Sequence, residues 1–149
     1  MVSIRLIQRI EQNWKQIAQS VIDQIHREPR VAHYHKLPDR EIVDRADHLV
    51  RNLGRWLTGE TAEATRIYES LGARRHSEGV PLEEIVYKLQ MIKRKLREYI
   101  RDTSLPETSV DLYGELELIR AIDGFFDEVV YSVVRGYQAA QRKAAAAAA

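Results

Sequence analysis

Apolar residues recur every three or four positions along almost the whole chain, and nowhere do they alternate over the length of a strand. Ile4, Ile7, Ile10, Trp14, Ile17, Val21 and Ile25 form one such series, which places them on a single face of a helix with 3.6 residues per turn. A chain patterned in this way lowers its free energy by packing stripe against stripe. The fold class is therefore all-α, a helical bundle.

The spacing predicts about five helices. The first runs from Ser3 to Arg27 and ends at Glu28-Pro29, because the residue before a proline is pushed out of the α region. Residues 30–38 have no period and read as a connector. The second helix starts near Asp39, a candidate N-cap, carries Ile42, Ala46, Leu49 or Val50, Leu53 and Trp56 or Leu57 inward, and stops at Gly59. The third, from Thr61, presents Ala64, Ile67, Tyr68 and Leu71 and ends before Gly79. Pro81 opens the fourth, whose stripe is Leu82, Ile85 or Val86, Leu89, Ile92, Leu96 and Tyr99 or Ile100, with Glu83 and Glu84 at its positive end. After Leu105-Pro106 the fifth begins near Ser109 and continues through Tyr137 toward Lys143. Its stripe is Leu112, Leu116, Ile119, Ile122, Phe126, Val130, Val133 and Tyr137.

Composition narrows the chemistry. At 149 residues the chain has the size of one domain, assigned here to residues 1–143. Residues 144–149 are a low-complexity alanine tail, set aside as a scar or as uncertain sequence. With no cysteine, thiol catalysis, iron–sulfur clusters and disulfide frameworks are excluded. The 23 basic and 22 acidic residues balance, so no overall field draws the chain to nucleic acid. No apolar run approaches the ~20 residues that span a bilayer, and no leader is visible. The expectation is a cytoplasmic protein with neither nucleic-acid binding nor membrane insertion. The neutral total hides a basic fourth helix (Lys88, Lys93, Arg94, Lys95, Arg97, Arg101) beside an acidic fifth (Glu115, Glu117, Asp123, Asp127, Glu128). Paired antiparallel, they would face opposite charges along their rim.

Candidate chemistry is sparse. His33 and His35 flank Tyr34, and on an extended segment both would face one side, as a metal chelate requires. Asp39 or His48 would have to complete the set. His48 is also the histidine nearest an apolar stripe, and so the candidate for haem. Solvated histidines explain the same residues without a ligand. Asp123 and Asp127 stand one turn apart and could bind a cation, but pairing of Asp123 with an arginine is the simpler account. No nucleophile elbow, P-loop or Glu-x-x-His pattern is present, so no catalytic residues are assigned. No cofactor is assigned either.

Two segments carry a resemblance. Residues 78–89, Glu-Gly-Val-Pro-Leu-Glu-Glu-Ile-Val-Tyr-Lys-Leu, and residues 113–128, from Tyr113-Gly114 to Phe125-Phe126-Asp127-Glu128, resemble the N-terminal sensory domain of RsbR-type stressosome co-antagonists. That domain also stands ahead of bacterial sensor histidine kinases. The resemblance extends over roughly residues 10–140. It implies an all-helical, globin-like or bundle-like domain that does not bind haem, usually dimeric and non-catalytic, which receives a signal and passes it to a C-terminal output domain.

The residues support a transmission role independently, because a long amphipathic helix leaving a domain can couple it rigidly to the next. Phe126, Val130, Val133 and Tyr137 are the residues assigned to the transmitting and dimer-forming face. Gly114, Gly124 and Gly136 interrupt that helix, either as tolerated glycines or as points of close approach. The expected function is a regulatory signal-input and dimerisation domain acting with an unidentified small ligand or protein partner. The alternatives are a small-molecule, metal or haem-binding module and a purely structural dimerisation module.

Overall fold

Where the apolar rhythm breaks, helices end. The computed structural model describes residues 4–103 and 105–149, the side chain of Leu6 excepted. Ser3, the expected start of the first helix, lies outside the described residues. Seven helical segments follow one another: α1 Ile4–Gln12, α2 Trp14–Arg27, a 3-10 segment Pro29–Lys36, α3 Asp39–Leu57, α4 Ala64–Ser77, α5 Leu82–Thr103 and α6 Ser109–Ala148. No strand forms among the described residues.

Two differences from the expected five helices have local causes. The first helix divides at Asn13, whose side-chain amide donates to the Arg9 carbonyl at 2.8 Å. Its backbone leaves the helical region (φ −107°, ψ 12°), as happens when a short amide competes with the backbone ladder. The connector is itself helical. Glu28 caps it by accepting the Arg30 N–H, and Pro29 starts it with its φ already set. Asp39 opens α3 without a side-chain cap bond and pairs with His26 at 2.9 Å instead. Gly59 and Gly79 both take positive φ, 94° and 75°, and terminate α3 and α4 as expected. Thr108 caps α6 by accepting the Asp111 N–H at 3.1 Å.

The core draws on every helix: Trp14, Ile17, Val21 and Ile25 from α2, Leu49 and Leu53 from α3, Leu89, Ile92 and Leu96 from α5. From α6 come Leu118, Ile122, Phe125, Phe126, Val129 and Val133. The expected stripe on α6 is thus partly corrected. Leu112 and Leu116 are 50% and 48% exposed, because α6 starts beyond the reach of the other helices, and burial begins only at Leu118. Past Tyr137 the helix continues through the alanines, which have the highest intrinsic helix propensity.

Direction follows from the pairings. Val80, just before α5, accepts the Tyr137 hydroxyl at 2.7 Å, whereas Lys93 and Arg97 meet Asp123 at 3.7 Å. α5 and α6 are therefore antiparallel, with the expected opposition of basic and acidic rims. α4 runs parallel to α6: Thr65 bonds Glu128 (2.6 Å), Glu69 pairs with Arg135 (3.5 Å), and the His76 ring meets Tyr137 edge-on. In this contact the two backbones touch. A Cβ at Gly72 would run into the Val133 carbonyl oxygen, and a Cβ at Gly136 into that of Glu69. Glycine is required at both positions because only a bare Cα lets the helices approach so closely.

Two of the interior glycines of α6, Gly124 and Gly136, should therefore respond oppositely to alanine. At Gly124 a Cβ meets open space, so Gly124→Ala raises stability by up to about 1 kcal/mol through helix propensity. At Gly136 the same gain is outweighed by overpacking, which costs about 1–3 kcal/mol. Thermal melts should place Gly136→Ala below the parent and Gly124→Ala above it. Equal shifts in the same direction would remove the backbone contact from the account. Phe126→Asp, which puts a carboxylate at a position 1% exposed, should abolish the cooperative melt altogether.

Candidate functional site

α4 has two faces, and its second one borders empty space. A cavity of about 470 Å³ lies between α2, the 3-10 segment, α3, α4 and α5, a volume typical of small-molecule sites. Ile25, Ile42, Leu49, Tyr68, Leu89 and Ile92 supply apolar wall, while Tyr34, Arg45, Arg75, Glu78 and Lys88 form a polar end. Asp44, His48 and Arg74 also line the cavity and are exposed, so they mark its rim.

Local structure places the polar end. Tyr34 reaches the cavity because the 3-10 segment is clamped to α5. Arg30 lies over the Tyr87 ring at 4.3 Å and donates to its hydroxyl at 2.8 Å. That hydroxyl donates in turn to Glu28 at 2.9 Å, and Arg30 closes the triangle with two bonds to the same carboxylate. Glu84 adds a brace by accepting the His33 backbone N–H. Arg75 lies on the inner face of α4, one turn beyond Gly72 and two beyond Tyr68. Lys88 lies on α5 between Ile85 and Ile92, in step with the apolar stripe.

The charges there are not balanced by neighbours in the usual way. Arg75, 6% exposed, donates to both oxygens of Glu78 at 3.1 Å. Arg45 bonds Glu41 at 2.8 Å and approaches Glu78 only to 3.8 Å. Lys88 has no carboxylate partner among the described residues, and its ammonium rests 4.7 Å from the centre of the Tyr34 ring. Burial, then the like charges of Arg75 and Arg45, lowers its pKa to about 7 against the opposing pull of Glu78. Burial likewise pulls Arg75 below the ordinary guanidinium value, with Arg45 acting in the same direction. Burial pushes the Tyr34 phenol up to about 12 and Tyr68 higher still, with the Asn52 amide offsetting part of the latter.

Two polar groups around the cavity are left without a hydrogen bond among the described residues: the Tyr34 hydroxyl and Arg45 Nη1. Buried donors are nearly always paired, and an unpaired one costs about 1–3 kcal/mol. Two such groups around one cavity, beside an ammonium lacking a counter-ion, mark a place prepared for something polar.

The sequence candidates fare differently. His33 and His35 do not form a chelate: on a 3-10 helix residues two apart point in different directions, and it is i and i+3 that eclipse. The His35 ring is engaged by the Ile25 carbonyl at 2.7 Å, and His26 by Asp39. His48 lines the cavity without either of them, and no group of three or more histidine and carboxylate side chains gathers among the described residues. Asp123 pairs with Lys93 and Arg97 rather than with Asp127. On α6, Phe126 and Val133 lie inside the chain's own core, with Val130 and Tyr137 packed against its edge. Arg75 and Lys88 were missed as site residues, yet each left a signal: a full charge in phase with an apolar stripe, Tyr68–Gly72–Arg75 and Ile85–Lys88–Ile92.

Compared with known proteins, the chain matches the family model described as the RsbT co-antagonist protein rsbRD N-terminal domain over residues 15–149. No curated protein and no solved structure matches it. The matched family is one of regulatory, sensory domains of the stressosome type. No described helix is long and apolar enough to cross a membrane.

Two titrations check these electrostatics. Burial holds the folded-state pKa of Lys88 at about 7, well below the ordinary lysine value of 10.5, so the charged form is disfavoured in the fold. That penalty is complete below pH 7, shrinks as pH rises, and vanishes above 10.5. Lys88→Met, which faces Tyr34, Arg45, Arg75 and Glu78, should therefore melt higher than the parent at pH 6, with the advantage fading toward pH 10. Glu28 behaves conversely. The Arg30 hydrogen bonds, with that of Tyr87, hold its pKa at about 2, below the ordinary carboxylate value of 4.5. Its contribution is present above pH 4.5 and lost as pH falls toward 2, so acid unfolding of Glu28→Gln should be less steep across that window. A parallel acid limb would show that the clasp is not formed.

Proposed function

The chain belongs to the RsbRD N-terminal family, and from that premise we propose that it is the signal-input domain of a bacterial regulatory protein, with the cavity as input and α6 as output. One observation carries this reading: α4 is shared between the two. Tyr68, Leu71 and Arg75 line the cavity, while Gly72, on the same helix, is in backbone contact with α6. Tyr68 itself touches both, since its ring meets Phe125 of α6 edge-on at 5.9 Å.

Close-packed backbones cannot compress, so a change in the seat of α4 has to be taken up by displacement of α6. A ligand shifts such an equilibrium only by its differential affinity for two packings. Unpaired donors in the empty cavity provide that differential, because they gain partners in one packing alone. Beyond Tyr137, α6 extends clear of the core and suits rigid coupling to an output module, such as that of a stressosome component or a histidine kinase.

The reading includes a homodimer in a cytoplasmic setting. Val110, Leu112, Tyr113 and Leu116 at the start of α6 are exposed apolar residues, of which Leu112, Tyr113 and Leu116 share one side of the helix. A second copy docking there would bury them in the way such patches are usually used. The domain is non-catalytic in this account.

The absence of cysteine makes the coupling directly measurable. Spin labels at Arg51→Cys on α3 and Arg142→Cys on α6 report the distance between the two helices. Filling the cavity with Ala46→Leu should shift that distance distribution or add a second population, and an unchanged distribution in a folded variant counts against transmission. Light scattering should give twice the 17.3 kDa of one chain. Leu112→Lys with Leu116→Lys should halve it.

A further inference from the structure

Resting on the reading of the cavity as the input site, the geometry points to its ligand: we infer that the cavity binds a small organic monocarboxylate, its carboxylate held by Lys88, Arg75, Arg45 and the Tyr34 hydroxyl and its apolar body lying against Ile42, Leu49, Leu89 and Ile92. The charge count sets the head group. Three cations, Arg45, Arg75 and Lys88, stand at the polar end against two carboxylates, Glu41 and Glu78, that pair with the arginines. The surplus is one positive charge. A monoanion neutralises it, whereas a phosphate dianion would leave an excess negative charge beside Glu78, and buried charge without a partner is strongly disfavoured.

Hydrogen-bond inventory agrees. The Tyr34 hydroxyl and Arg45 Nη1 are donors without acceptors, and Lys88 brings an ammonium whose neighbour is a ring face. A carboxylate is an acceptor only, with about four lone-pair sites on its two oxygens. A neutral alcohol or amide would satisfy some of these groups and leave the charge. Of the remaining wall, Ile42, Leu49, Leu89 and Ile92 are buried aliphatic residues. They offer an alkyl or aryl body nothing polar to lose, and burial of that body provides the affinity that a bare acetate lacks.

Titration supplies a readout that a merely structural lysine would not. Burial, then the like charges of Arg75 and Arg45, lowers the Lys88 pKa to about 7, and an anion beside it favours the charged form again. Binding at pH 8 should therefore take up a proton. The other groups lining that end and its rim are Tyr34, Glu41, Asp44, Arg45, His48, Arg74, Arg75 and Glu78. Of these groups Lys88 is the one whose pKa burial brings near neutrality, so the uptake is assigned to it, and its loss in Lys88→Met checks the assignment.

The experiment is calorimetry and thermal shift on the intact chain with sodium octanoate, 1-octanol, octyl phosphate and sodium acetate as probes. Octanoate should bind saturably, at least tenfold more tightly than octanol or octyl phosphate, while acetate stays weak. Repeating the octanoate titration at pH 8 in buffers of different ionisation enthalpy should show uptake of most of one proton. Affinity should fall by more than tenfold from pH 7 to pH 9, as that uptake requires. Lys88→Met should lose at least tenfold in octanoate affinity, lose the proton uptake and keep its weak binding of octanol. A cooperative melt at pH 6, expected above that of the parent, checks that this variant folds, and Tyr34→Phe should give a smaller loss in the same direction. Equal affinity for octanoate and octanol, a preference for octyl phosphate, or unchanged binding in Lys88→Met each overturns the assignment. Binding of octanoate without any change in the spin-label distance of α6 would leave the ligand assignment standing and remove the transmission reading.

Discussion

The backbone contact between α4 and α6 is the constraint on which the rest of the arrangement depends. Gly72 meets the Val133 carbonyl and Gly136 meets that of Glu69, so each helix contributes a glycine and, three residues earlier, the carbonyl that the other glycine admits. α4 has little apolar surface of its own, with Ile67 and Leu71 only partly buried and Arg75 fully so. Held by side chains alone it would sit too far from α6 for Tyr68 to reach Phe125. Held by its backbone, it frees its other face to border a cavity rather than a packed core.

That division of labour explains why an unsatisfied polar end is tolerated. Trp56 of α3 and Tyr68 of α4 each meet Phe125 of α6 edge-on, Phe125 meets Phe126 in the same way, and together with the apolar core these rings hold the bundle. Edge-on aromatic pairs add about 0.5–1.5 kcal/mol each beyond the area they bury. Against this background, an ammonium without a counter-ion and a few donors without acceptors lower the stability of the fold without undoing it. Sites that must respond to a ligand commonly carry such local costs. The Glu28–Arg30–Tyr87 clasp serves the same end from the opposite wall, because it fixes the short 3-10 turn that presents Tyr34.

Much of this was legible in the residues. The helical rhythm, the proline and glycine stops at Pro29, Gly59 and Gly79, and the opposed charges of α5 and α6 all follow from local rules that hold in any context. The family resemblance read from residues 78–89 and 113–128 agrees with the family match over residues 15–149. Where the reading failed, a competing local interaction had intervened. Asn13 turned its amide onto the Arg9 carbonyl and divided the first helix. Glu28 capped a short helix in what looked like a connector. The pair His33 and His35 looked like a chelate only on the assumption of an extended chain.

The sequence by itself determined which stretches are helical, where they stop and which faces are apolar, because those depend on neighbours within a turn or two. Only the tertiary structure decided which apolar residues find a partner, since Leu112 and Phe126 have the same periodicity but only Phe126 lies within reach of the other helices. It also decided that the charges in step with an apolar stripe, Arg75 on α4 and Lys88 on α5, meet across one cavity with Tyr34 and Arg45. Those four residues come from four separate segments, and no rule of spacing along a chain relates them. Their convergence is set by how closely α4 can approach α6, and thus by the absence of a side chain at two glycines.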